Sequence, residues 1–119
     1  MHEASLMQCA LDMALEQARL HRATRIHRIT LRIGRLAGVV PEALAFAFDV
    51  VTAGTIAEGA RLEVEAVAIV CYCAGCREEF TPPDFVFACP RCGSLSADVR
   101  AGQELELARV EVSADGEPS

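Results

Sequence analysis

Two Cys-x-x-Cys pairs, Cys73-Ala74-Gly75-Cys76 and Cys89-Pro90-Arg91-Cys92, with twelve residues between them, constrain this chain more than any other feature. Two residues between thiols let one tight turn aim both at a single ion, and two such turns complete the tetrahedron that zinc prefers. Gly93, directly after the second pair, supplies the permissive backbone such a turn needs. Four thiolates saturate Zn(II) and leave no position for a substrate or an activated water, so the spacing predicts a structural site rather than a catalytic one. A dithiol redox centre is the competing use of such pairs, but neither sits at the strand-to-helix junction of a thioredoxin-like βαβ unit. Cys71 lies in the same stretch and could substitute for Cys73, although the regular spacing favours Cys73. The remaining thiol, Cys9, falls among apolar residues of an expected helix and is expected to be a small buried hydrophobe.

A module of roughly thirty residues cannot bury enough apolar surface to stand alone, which is why it needs a metal staple. Tyr72, Phe80, Phe85 and Phe87 are expected to form the core it does have. The whole chain, 119 residues with 52% apolar and 24% charged, has the composition of one globular domain, or of one domain plus such a module.

Outside the cysteines the hydrophobic pattern is clear. From Ser5 to about Arg22, Met7, Leu11, Ala14 and Ala18 recur at helical spacing. Ile29, Leu31 and Ile33 then alternate with Arg28, Thr30 and Arg32 along a strand from Ile26 to Ile33. Pro41 suits a first helical position, and the run to Ala53 ends at Gly54. The apolar residues of this second helix go nearly all round, so it is expected to be covered on more than one side. Leu62, Val64 and Ala66 alternate with Glu63 and Glu65, acids placed to oppose Arg28 and Arg32 across a sheet. Leu105 and Leu107 share one parity, Val110 and Val112 the other, so a third strand needs a bulge near Ala108. The fold expected is α+β: a small three-stranded sheet with two helices, plus an inserted four-cysteine zinc-ribbon module. Residues 1–70 and 101–113 make the first part, 71–100 the insertion and 114–119 a frayed tail.

Charge limits the partners. The net charge is −6. Between Cys71 and Arg100, Arg77, Arg91 and Arg100 face Glu78, Glu79, Asp84 and Asp98, so no basic stripe exists to neutralise phosphates. A nucleic-acid-binding zinc ribbon is therefore the alternative reading, not the first. No apolar run reaches the roughly 18 to 20 residues of a membrane span, and the start lacks a secretory layout, so a cytoplasmic protein is expected.

Of the histidines, His21 at the end of the first helix and His27 at the start of the first strand read as surface residues. His2 differs by position. A histidine after the first residue can offer a square-planar ion the terminal amine, its own deprotonated amide and its imidazole. Such nitrogen sets suit Ni(II) or Cu(II) rather than zinc, although an exposed terminus is the ordinary use of such a residue.

Met1-His2-Glu3-Ala4-Ser5 followed by an amphipathic helix, then Pro41-Glu42-Ala43-Leu44-Ala45-Phe46-Ala47-Phe48-Asp49, Glu58-Gly59-Ala60 and the two cysteine pairs, resembles the HypA/HybF family of hydrogenase maturation proteins from Met1 to about Val112. The resemblance implies a nickel metallochaperone, not an enzyme, with a nickel-binding α/β domain and a zinc domain. It makes His2 the essential Ni(II) ligand, with the Met1 amine beside it and Glu3 tuning the site. It makes Cys73, Cys76, Cys89 and Cys92 the Zn(II) ligands. Ala4 departs from the bulkier apolar residue usual there. The implied partners are a HypB-type GTPase and the precursor of the [NiFe]-hydrogenase large subunit, with urease maturation proteins served by some members.

Overall fold

The computed structural model describes residues 3–83 and 85–114. Helix α1 (Glu3–Leu20) buries Met7, Ala10, Leu11, Ala14 and Ala18, one stripe at helical spacing. It ends in a Schellman motif: Ala23 N–H donates to the Ala18 carbonyl at 2.8 Å and Arg22 N–H to that of Arg19 at 3.1 Å. Arg22 takes the left-handed conformation, φ 55°, that this motif usually gives to glycine. Cys9 is exposed, contrary to the sequence reading, because its position turns it off the stripe set by Met7, Ala10 and Leu11.

Helix α2 (Pro41–Thr52) packs against α1. It buries Leu44, Ala47, Phe48 and Thr52, and the Thr52 hydroxyl donates to the Phe48 carbonyl at 2.7 Å. The expectation of cover on more than one side is not met: Phe46 is 72% and Val50 58% exposed. Packing covers one side of α2, with Ala43 and Val51 half-buried at its margins, and Ala45, Phe46 and Val50 face outward.

Strands β1 (Arg25–Gly34), β2 (Arg61–Val67) and, later in the chain, β6 (Leu105–Ser113) form a sheet in the order β2-β1-β6. Ile26, Ile29, Leu31 and Ile33 of the central strand are buried. Between their alternates, Arg28 reaches Glu63 at 3.2 Å and Glu111 at 3.3 Å, and Arg32 reaches Glu65 at 4.0 Å and Glu106 at 3.6 Å. Arg109 also pairs with Glu65. Such exposed pairs are worth little singly, but a slip of one residue would turn the arginines into the core, so they mark the register. In β6 the half-buried residues change parity between Leu107 and Ala108, where the sequence pattern demands it.

Between β2 and β6 in sequence lie β3 (Val70–Cys73), β4 (Glu78–Phe80) and β5 (Val99–Ala101), an antiparallel sheet in the order β4-β3-β5. Strands of three or four residues carry too few alternations to be read from sequence, which is why this sheet is absent from the sequence analysis. The chain divides into two compact units. One takes in the chain up to Arg32, Val39–Glu65 and the described residues from Glu106 on; the other takes in Ile33–Gly38 and Ala66–Leu105. The second unit has Ile69, Cys71, Cys73, Phe80 and Cys89 at its centre, with Leu36, Cys76, Phe87 and Val99 against them. Phe85 is not core but 63% exposed, with the Arg35 guanidinium 5.9 Å from its ring centre. Tyr72 is only half-buried, because strand alternation turns it away from Cys71 and Cys73; it stacks under Arg100 at 4.3 Å.

Two glycines let backbone meet backbone within this second unit. Gly34 N–H donates to the Glu104 carbonyl at 2.8 Å and Leu36 N–H to that of Gly102 at 2.7 Å. A methyl group on Gly34 would lie 2.0 Å from the Gly102 oxygen, and Gly102 itself sits at φ +114°. The expected tail falls almost wholly at residues 115–119, outside the described residues.

Candidate metal centre

Each cysteine pair sits on a turn of the same design. In the first, Arg77 N–H donates to the Cys73 carbonyl at 2.7 Å; in the second, Gly93 N–H donates to that of Cys89 at 2.8 Å. The residue after each pair is left-handed, Arg77 at φ 56° and Gly93 at φ 77°. Gly93 has the role its sequence position suggests, and Arg77 adopts the same conformation despite its side chain. The β3–β4 hairpin, with Cys73 opposite Glu78, carries the first turn. An Ala88–Leu95 bridge and the Cys89 N–H bond to the Ser94 carbonyl, 2.9 Å, close the second.

The turns bring Cys73, Cys76, Cys89 and Cys92 together, with all four Sγ atoms within 4.8 Å of one another. Cys73 and Cys92 are 3.6 Å apart and Cys76 and Cys89 are 3.9 Å apart. Four sulfurs each about 2.3 Å from one ion at tetrahedral angles would be separated by about 3.8 Å. The donor set therefore fits zinc in both chemistry and spacing. The first cysteine of each pair is buried, Cys76 is half-buried and Cys92 reaches the surface. Cys71 is not part of the cluster: it is fully buried opposite Phe80 in the β3–β4 register, and burial pushes its thiol up from the usual range.

Hydrogen bonds from the hydroxyl and N–H of Ser94 favour the thiolate of Cys92 and hold it down to about 6. Backbone N–H groups of Cys92 and Arg91 lower Cys89. Cys76, whose thiol bonds to Cys92 and Cys89, is pushed up to about 12. The lowered Cys89 and Cys92 favour the thiolate, the form in which cysteine binds a cation. Ser94 was missed by the sequence reading; its place directly after Cys92-Gly93 was the available signal. Across the two turns, Arg91 forms an ion pair with Glu78.

Met1 and His2 lie outside the described residues. Glu3 begins α1 and lines a shallow cleft with Ala4, Ala43, Phe46 and Val50. His21 is exposed just beyond α1, with Nδ1 2.9 Å from the Gln17 carbonyl. His27 is half-buried, with Nε2 2.6 Å from the Ser113 hydroxyl. Among the described residues, neither lies in a cluster of metal-ligating groups.

Residues 1–112 match the family model described as hydrogenase/urease nickel incorporation, metallochaperone, HypA. Proteins called hydrogenase maturation factor HypA from Picosynechococcus sp. and Acidithiobacillus ferrooxidans are 48% and 46% identical to this chain. Each alignment spans 112 residues, 94% of this chain and 99% of the relative. In fold the chain is similar to the solution structure of the Ni metallochaperone HypA from Helicobacter pylori, with TM-score 0.69 at 22% identity, covering 97% of this chain and 100% of that one. A second HypA solution structure gives TM-score 0.72 at 23% identity, covering 97% and 98%. With both cysteine turns and the segment from Met1 inside the matched span, the chain belongs to the HypA family of nickel-incorporation metallochaperones, which are maturation factors rather than enzymes.

Proposed function

We propose that this chain binds Ni(II) at its amino terminus and delivers it to the [NiFe]-hydrogenase large-subunit precursor, while Zn(II) held by Cys73, Cys76, Cys89 and Cys92 maintains the second unit. His2 supplies the imidazole and its amide nitrogen, Met1 the amine, and Glu3 shapes the site from beside it. Residues 1–70 and 101–113 form the nickel-binding domain, and 71–100 the zinc-binding domain. The observation that carries this reading is a complete tetrahedral thiolate set inside a family match that begins at residue 1. The partners are a HypB-type GTPase and the large-subunit precursor, with urease maturation proteins as further clients and no nucleic acid. The setting is the cytoplasm, where cysteines outside disulfides, as all six are here, stay reduced.

Elemental analysis after nickel loading and desalting should find one zinc and one nickel per chain. His2→Ala should lose the nickel and keep the zinc; unchanged nickel affinity in that variant overturns the site. The chain contains no lysine, so an amine-reactive reagent reports the Met1 amine alone. Nickel should slow that labelling, and an unchanged rate removes the amine from the ligand set.

A further inference from the structure

One face of α2 has no structural use. Phe46 stands four residues after Glu42, and Asp49 and Val50 stand three and four residues after Phe46, an outward stripe on which all four are exposed. The cleft lined by Glu3, Ala4, Phe46 and Val50 joins the apolar part of the stripe to the start of α1. Singly exposed apolar residues need no explanation; a contiguous group with a phenylalanine at 72% exposure does.

Charge identifies what fits there. From Leu36 to Ala60 the sequence contains no lysine, arginine or histidine. Among the described residues Glu3, Glu42 and Asp49 have no ion-pair partner, in contrast to the acids opposite Arg28 and Arg32 on the sheet. Asp49 stands in the last turn of α2, where the helix dipole disfavours a negative charge and no basic residue offsets it. A second copy is a poor occupant, because a two-fold interface on this stripe would bring the acids of one copy toward those of the other with no basic residue on the helix to offset them.

The geometry points to the α2 stripe as the docking surface for a partner protein, one that presents apolar side chains set among arginines or lysines to Phe46, Val50 and the flanking acids. Phe46 is the anchor, and Glu42, Asp49 and Glu3 steer and orient the basic partner. This rests on the proposed delivery function and places its protein contact at the cleft that Glu3 lines, one residue in sequence from the proposed nickel ligand His2.

The test measures binding of the purified GTPase and the purified large-subunit precursor from the same organism to wild type, Phe46→Ala, Phe46→Leu and Asp49→Arg, with nickel and zinc content determined for each. At least one partner should bind wild type, with affinity falling at least tenfold in Phe46→Ala and fivefold in Asp49→Arg and mostly restored in Phe46→Leu. Metal content should not change, since Phe46 is exposed. Unchanged partner affinity in both Phe46→Ala and Asp49→Arg overturns the surface and leaves the delivery reading standing. A wild type that loads nickel yet binds neither partner overturns the delivery reading and this surface with it. A wild-type dimer that Phe46→Ala converts to monomer in sedimentation would make the stripe a self-interface and refute the basic partner.

Discussion

Removing zinc should unfold the second unit and leave the first folded, and the structure provides a separate optical probe for each. At the centre of the second unit are Ile69, Phe80 and three cysteines, two of which belong to the tetrad. Ile69 and Phe80 contribute about 1.5–3 kcal/mol each by burial, whereas a structural zinc contributes about 10–16 kcal/mol. On the proposed assignment the metal should therefore decide whether this unit folds. The only tyrosine, Tyr72, lies in this unit, and there is no tryptophan, so tyrosine fluorescence and the tyrosine band of the near-ultraviolet dichroism report that unit selectively. Both helices, of 18 and 12 residues, lie in the other unit and dominate ellipticity at the usual helix wavelength. Cys76→Ala, or a strong chelator, should abolish the Tyr72 signal while most helical ellipticity survives. Cys71→Ala, outside the tetrad, should keep full zinc and lose only about 1 kcal/mol of packing. Loss of both signals together, or a native Tyr72 signal without zinc, refutes the reasoning.

The pH dependence follows from the same chemistry. Bound thiolates carry no protons, while in the unfolded chain free thiols titrate near the ordinary value of about 8.5. Below that value, unfolding with metal release takes up as many as four protons, so stability rises with pH and falls on acidification. The slope approaches about 5 kcal/mol per pH unit at fixed free zinc. Zinc release and Tyr72 loss should coincide on acidification, steeply and well before helical ellipticity changes.

Arg22→Gly should stabilise the first unit by about 0.5–1 kcal/mol by relieving the left-handed conformation at the end of α1, seen as a raised denaturation midpoint at unchanged slope. Gly34→Ala should destabilise the second unit by about 2–4 kcal/mol. The methyl group would strike the Gly102 carbonyl and part the two backbone hydrogen bonds there, with lost exchange protection at Gly34 and Leu36 as the readout.

The features legible in the sequence are those that repeat. Ile29, Leu31 and Ile33 against Arg28 and Arg32 fix a strand and its exposed side, and Glu63 and Glu65 meet those arginines as the alternation implies. The cysteine spacing locates the cluster because two tight turns leave little else for four thiols to do. What escaped depends on phase or on partners distant in sequence. Cys9 is apolar and mid-helix, yet lies off the buried stripe. Phe46 and Phe48 look alike in composition, but Phe48 is buried and Phe46 is not. Strands β3, β4 and β5 are held by pairing between residues distant in sequence, such as Val70 with Ala101, which no local pattern announces.

The two metals should affect stability differently, and the reason lies in where their ligands are when the chain is unfolded. The four sulfurs come from turns separated by twelve residues and converge only in the folded unit, so the proposed zinc should bind the folded state and stabilise it by mass action. The proposed nickel ligands are adjacent residues before the first buried position, Met7, and close their chelate rings without a folded scaffold. A ligand that binds folded and unfolded chains equally shifts no equilibrium, however tightly it binds. Nickel at saturation should therefore leave both unfolding midpoints within error, while added zinc raises the Tyr72 midpoint. A rise in the helical midpoint with nickel, absent in His2→Ala, would show that the folded domain contributes a ligand from beyond residues 1–3.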